Sequence, residues 1–216
     1  MKKGNLTSWL WAMGLAAMMT ICVAGCGDDD NETLSEVEIE QAKELLNGDI
    51  VVSAHVSVNN VDKTLLPGGA PSKFTVTHGD GDKLSLWQED FQLGKMPFPI
   101  ALGIDLTLGP VLSLEADDLK GEGWIRFYGK RGVISIDGKR PASTVDTNAS
   151  GDGTTVTGYL NILTGEIQFQ ISYAMMVVEL NAPRQELDPG RAANFEAEKA
   201  QYEKELEKYK KEHGLE

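Results

Sequence analysis

The chain has only two cysteines and three histidines in 216 residues. Both cysteines, Cys22 and Cys26, lie in the first 26 positions, so the rest of the chain carries no thiol. Disulfide staples, cysteine nucleophiles and thiolate zinc sites are thereby excluded from the body of the protein, which must be held by packing. His55, His78 and His213 lie far apart with no paired spacing, and no metal or other cofactor is expected. No serine occupies a Gly-x-Ser-x-Gly elbow. Basic residues are also scarce: 20 against 33 acidic ones, a net charge of −13, which repels nucleic acid and anionic headgroups.

One long uncharged run is present, from Leu6 to Ala24, behind the basic pair Lys2 and Lys3. That is the layout of a secretory signal. The residues Val23-Ala24-Gly25-Cys26 resemble the lipobox of bacterial lipoproteins. The resemblance implies cleavage before Cys26 and a lipid anchor on its sulfur, with two or three acyl chains for a stable hold. An uncleaved transmembrane helix is the alternative, since the run approaches the roughly 20 residues that span a bilayer. Loss of Lys2 and Lys3 takes the mature charge from −13 to −15. Asp28, Asp29 and Asp30 then follow the cysteine closely, which resembles the surface-export signal of Bacteroidetes lipoproteins and implies display outside the outer membrane. Physically, the same run makes a self-repelling, extended tether.

The chain divides into a leader (1–25), an acidic tether with a short helix (26–47), a β-domain (48–182) and a charged C-terminal helix (183–216). Ser35 and Glu38 have capping-box spacing, which predicts a helix start. From about Gly48 the apolar period becomes two: Ile50, Val52, Ala54, Val56 and Val58 share a face, opposite His55 and Ser57. The habit recurs at 73–77, 83–87, 124–128, 133–136, 154–160 and 166–173. Turn chemistry separates these runs at 78–82, Gly129-Lys-Arg-Gly132, Asp137-Gly138 and Thr164-Gly165. Short strands with tight turns predict an all-β, antiparallel barrel or sandwich. Pro97 and Pro99 belong at an edge or a crossing, because proline cannot donate to a ladder. From Asp188-Pro189 a helix is expected. Phe195, Tyr202 and Tyr209 recur at seven with Leu206 beside them, a thin seam for lying on the domain or for pairing with a partner helix.

Three segments, Leu84-Ser-Leu-Trp-Gln-Glu-Asp-Phe-Gln-Leu-Gly-Lys-Met-Pro-Phe-Pro99, Gly158-Tyr-Leu-Asn-Ile-Leu-Thr-Gly-Glu-Ile167 and Ile171-Ser-Tyr-Ala-Met-Met-Val-Val-Glu-Leu180, make the β-region similar to the calycin-like lipoprotein domains of Bacteroidetes. Lys95 and Ala174 depart from that pattern. The resemblance covers roughly 135 residues and implies a lipocalin-like β-barrel; it carries over no catalytic or binding residue, and the C-terminal helix lies outside it.

Asp80-Gly-Asp82 and Gly151-Asp-Gly153 lack the remaining ligands of a calcium loop and read as turns. Glu89, Asp90, Glu115, Asp117 and Asp118 are carboxylates without a catalytic spacing. No enzyme is expected. Trp87, Trp124 and Tyr128 stand opposite the apolar members of their alternations, so they face outward or into a cavity, where aromatic rings stack on sugars or partners. The expectation is a non-catalytic, lipid-anchored surface module that binds a small apolar molecule or a glycan. A structural or adhesive module contacting a protein through the C-terminal helix, and a carboxylate-dependent hydrolase, are the alternatives.

Overall fold

A computed structural model describes residues 33–92, 96, 98–174 and 177–215. The leader, Cys22, Cys26 and Asp28 to Asp30 lie outside the described residues, as do Leu93, Gly94, Lys95, Pro97, Met175 and Met176 of the resembling segments.

Helix α1, Glu36–Leu45, begins at the predicted capping box, with Ser35 Oγ accepting from Glu38 N–H and the Glu38 carboxylate accepting from Ser35 N–H. Nine strands follow: β1 (Gly48–Val58), β2 (Val61–Asp62), β3 (Ala70–His78), β4 (Lys83–Phe91), β5 (Ile100–Gly109), β6 (Trp124–Ser135), β7 (Thr154–Asn161), β8 (Glu166–Tyr173) and β9 (Val178–Glu186). Helix α2 (Gly190–His213) ends the chain. All pairings are antiparallel, each long strand pairs with the next, and β9 returns to β1. Eight strands thus form a closed barrel, with the two-residue β2 as an extra flap on β1. Strand β9 runs to Glu186, past the expected end of the β-domain at 182.

One rim carries the connections 79–82, 110–123 and 162–165. Helix α1 packs there, burying Ala42 and Leu46 in the core while Lys43 Nζ donates to the Gly79 carbonyl at 3.2 Å. The opposite rim carries 59–69 and 136–153, together with Gln92, Phe98 and Pro99 between β4 and β5 and Ala174 and Val177 between β8 and β9.

The interior follows the alternation. Phe74, Phe127 and Phe169 meet at the waist, the first and last edge-on at 5.3 Å, the last two at 6.1 Å. They fit because β7 presents Gly158 there: a Cβ at that position would lie 2.3 Å from Phe127 Cζ. Leu84, Leu102, Ile104, Ile125, Leu160, Ile171 and Leu180 fill the layers around them. Each such side chain contributes about 1.5–3 kcal/mol by leaving water.

One reading of the sequence needs correction, and one strand, β5, carries no alternation to read. Gly129-Lys-Arg-Gly132 is not a turn between strands but a bulge inside β6, where the register to β7 shifts and Arg131 takes φ 59. A bulge lets the strand bend while Gly129 passes close to the Asp105 carbonyl, which would lie 2.3 Å from an added Cβ. Strand β5 has no alternation in its first half, where Ile100 to Ile104 are all buried. Its inner face meets the core, and its outer face at Gly103 lies under the Trp87 ring and Pro141. Covered on both faces, it reads as a plain apolar run.

Candidate functional site

The barrel wall is not evenly closed. Strands β3 and β4 pair only from Thr75–Trp87 to His78–Leu84; Ala70 to Phe74 stay with β1 and part from Gln88 to Phe91. Helix α2 lies across this region, packed on β1 and β3. Its seam supplies the cover, with Tyr202 and Leu206 buried in the core cluster and Phe195 half-buried. The Tyr202 hydroxyl donates to the Thr64 carbonyl at 2.8 Å, which ties the helix to the 59–69 connection. Burial, with the negative charge of Asp62 adding to it, pushes this phenol up to about 12. At the start of α2, Arg191 pairs with Glu198 at 2.8 Å and reaches Val51 O and Ser53 Oγ of β1.

Between α2 and the β3–β4 wall lies a groove of about 540 Å³. Pro71, Lys73, Thr75, Trp87 and Glu89 line it from the wall, and Phe195, Lys199, Tyr202, Glu203, Leu206 and Lys210 from the helix. Ser72, Gln88 and Phe91 line it at the point where the strands part. Lys73 Nζ sits 5.4 Å from the Phe195 ring centre. Gln88 is 2% exposed; its Oε1 accepts from the Tyr173 hydroxyl, and its Nε2 has no hydrogen-bond partner. Tyr173 is fully buried, its phenol pushed far up by desolvation, and Phe91 stacks parallel to it at 6.3 Å. The wall thus combines aromatic surface, a buried amide donor and charges of both signs, a set suited to a ligand with both apolar faces and hydrogen-bonding groups.

The three aromatics singled out from sequence all stand on the outer surface, half-buried, and do not converge. Trp87 alone lines the groove. Each ring carries an arginine: Arg140 over Trp87 at 4.9 Å, Arg184 over Trp124 at 4.9 Å and Arg126 over Tyr128 at 4.6 Å. Each arginine pairs in turn with a glutamate, Glu89, Glu166 and Glu115 respectively. Arg184 holds the Glu166 carboxyl below its ordinary range through two hydrogen bonds. The alternation did not reveal the helix half of the groove, because pairing α2 with this wall is a long-range event. Gln88 did leave a signal: it continues the inward series Leu84, Leu86 as a polar residue at a core position.

His55 lies 3.3 Å from Asp62, His78 is exposed beside α1, and His213 stacks on Tyr209. Among the described residues no group of three histidine, cysteine or acidic side chains could hold a metal. Asp80-Gly-Asp82 forms the β3–β4 turn, closed by Gly79 N–H to the Lys83 carbonyl at 2.9 Å. Asp152 of Gly151-Asp-Gly153 pairs with Lys130 at 3.0 Å. No helix among the described residues is long and apolar enough to cross a membrane.

Fold and groove together define a closed, eight-stranded antiparallel β-barrel domain with a helix laid over a parting in its wall. The chain belongs to the family described as a domain of unknown function, DUF4903, whose model matches residues 26–214. That match takes in α1, the barrel and α2. No curated protein and no solved structure matches the chain.

Proposed function

We propose that this chain is a lipid-anchored, cell-surface module of the outer membrane that binds a glycan, without catalysis, in the groove between α2 and the β3–β4 wall. The observation that carries the reading is the composition of that groove: the Trp87 and Phe195 rings, the buried Gln88 amide, and a rim of lysines and glutamates. Sugars offer apolar ring faces to aromatics and hydroxyls to charged groups. A purely apolar ligand would desolvate Lys199 and Glu203 without giving them partners. The barrel interior is filled with packed side chains, which favours the wall over the lumen as the binding place. The protein-partner reading drew on the C-terminal helix, but Tyr202 and Leu206 of its seam are used against the barrel. The anchor rests on Val23-Ala24-Gly25-Cys26, and the family match begins at Cys26 itself. The calycin-like resemblance and the acidic run after Cys26 support a Bacteroidetes surface lipoprotein.

Two experiments test this. Mass spectrometry of protein from its native membrane should find an acylated N-terminus at Cys26; a mature chain starting at Met1 would overturn the anchor. On a glycan array the protein should bind a restricted set of sugars, and Trp87→Ala should weaken that binding severalfold. An array without binders, or binding indifferent to Trp87, would overturn the groove as a sugar site.

A further inference from the structure

We infer that the rim closed by α1 faces the lipid bilayer and touches it through leucines on two neighbouring connections. The inference rests on the anchor at Cys26. Six residues lie between Cys26 and Thr33, where the described chain begins, and the seven Cα–Cα steps span at most about 25 Å. The chain enters the fold through α1, and α1 packs on the rim that carries 79–82, 110–123 and 162–165. Strand β5, ten residues long, implies a barrel depth of about 25 Å once strand tilt is allowed for. Placing the opposite rim on the bilayer would therefore take the whole of that reach along the wall, whereas the α1 rim takes little of it.

The near rim has the surface for such a contact. Leu114 is 96% exposed and Leu112 48%, both on the β5–β6 connection; Leu163, at the β7–β8 turn, is 66% exposed. The two connections touch, since Ile162 N–H donates to the Gly123 carbonyl at 2.8 Å and the Leu163 side chain lies against Gly123. Exposed leucines on loop tips are what a membrane interface takes up. The neighbouring charges are mostly acidic (Asp80, Asp82, Asp117, Asp118 and Glu122, against Lys120), so the surface that fits is zwitterionic rather than anionic. Val61, Ile136, Val145 and Val177 are exposed on the opposite rim, which then points away from the lipid.

The test uses the full lipidated protein. Thioether-bound Cys26 does not react with thiol reagents, so Leu114→Cys, Leu163→Cys and Val145→Cys each give one labelling site. Each variant is nitroxide-labelled and reconstituted in phosphatidylcholine–phosphatidylethanolamine vesicles. Labels at 114 and 163 should gain exposure to oxygen and lose exposure to a water-soluble nickel chelate severalfold, while the label at 145 stays aqueous. If mass spectrometry finds Cys26 acylated yet 114 and 163 remain as aqueous as 145, or if 145 enters the lipid, the orientation is wrong and the anchor stands. If Cys26 carries no lipid, the anchor itself is wrong and the orientation falls with it.

Discussion

The side-chain amide of Gln185 takes the place of a missing strand beside Ser53. Its Oε1 accepts from Ser53 N–H at 2.8 Å and its Nε2 donates to the Ser53 carbonyl at 2.9 Å. Strand β9 pairs with β1 only from Val178 to Asn181 and then leaves at a bulge containing Pro183, which has no N–H to give. The barrel seam is therefore closed on this side by a carboxamide, with Arg191 beside it on Val51 O.

Removing that amide strands two half-buried backbone groups. Gln185→Ala should lower unfolding free energy by about 2 kcal/mol, read as a shift in urea midpoint. Gln185→Glu keeps the acceptor and loses the donor, and should fall between wild type and alanine. An unchanged midpoint in Gln185→Ala would mean that water replaces the side chain at the seam.

Gly158 makes room for three phenylalanines. Gly158→Ala places its Cβ within 2.5 Å of both Phe127 and Phe169 atoms, so the core must shift. The expected loss is about 1–3 kcal/mol. Gly158→Ala combined with Phe127→Leu should recover part of it, whereas a purely conformational role for the glycine predicts no such rescue.

Gln88 and Tyr173 form a polar pair in an otherwise apolar layer. Tyr173→Phe leaves the whole Gln88 amide without partners and should destabilise by about 1 kcal/mol or more. Gln88→Leu together with Tyr173→Phe removes both ends and should return stability to wild type or above. A double variant less stable than either single one would contradict this account.

The alkaline limb of the stability curve should carry the mark of Tyr202. An unfolded tyrosine ionises near 10, while the folded Tyr202 is held up to about 12. Between those values the unfolded chain binds fewer protons than the folded one, so stability falls as pH rises through that window. Tyr202→Phe should flatten the fall, leaving the parts due to Tyr173 and Tyr159, whose phenols are also raised, chiefly by burial. At the acid end the sign reverses: Glu166, lowered by Arg184, contributes above its ordinary range near 4.5 and loses that contribution as pH drops. Urea midpoints from pH 3 to 12 would test both limbs.

Much of the fold was open to reading because one face of most strands meets water. Ser35 and Glu38 announced α1 by spacing alone, and Ile50 to Val58 showed their inward set directly. Barrel and sandwich share that alternation, and the choice between them is made by one long-range strand pairing, His55 to Val58 of β1 with Val178 to Asn181 of β9. Strand β5 stayed hidden because Trp87 and Pro141 cover its outer face, and Arg131 looked like a turn residue because a bulge and a turn ask for the same backbone. At the site, Trp87 was visible and Tyr202 was seen as part of a seam. That the seam meets the parting between β3 and β4 depends on contacts more than 100 residues apart, such as Tyr202 with Thr64.

Closure of β1 on β9 leaves two short strand margins among the described residues: β2, two residues long, and the parting between β3 and β4. Open margins are where β-proteins recruit one another into extended stacks. A barrel whose last strand is taken by its first keeps such templates short, and α2, packed on β1 and β3, lies over the longer of the two.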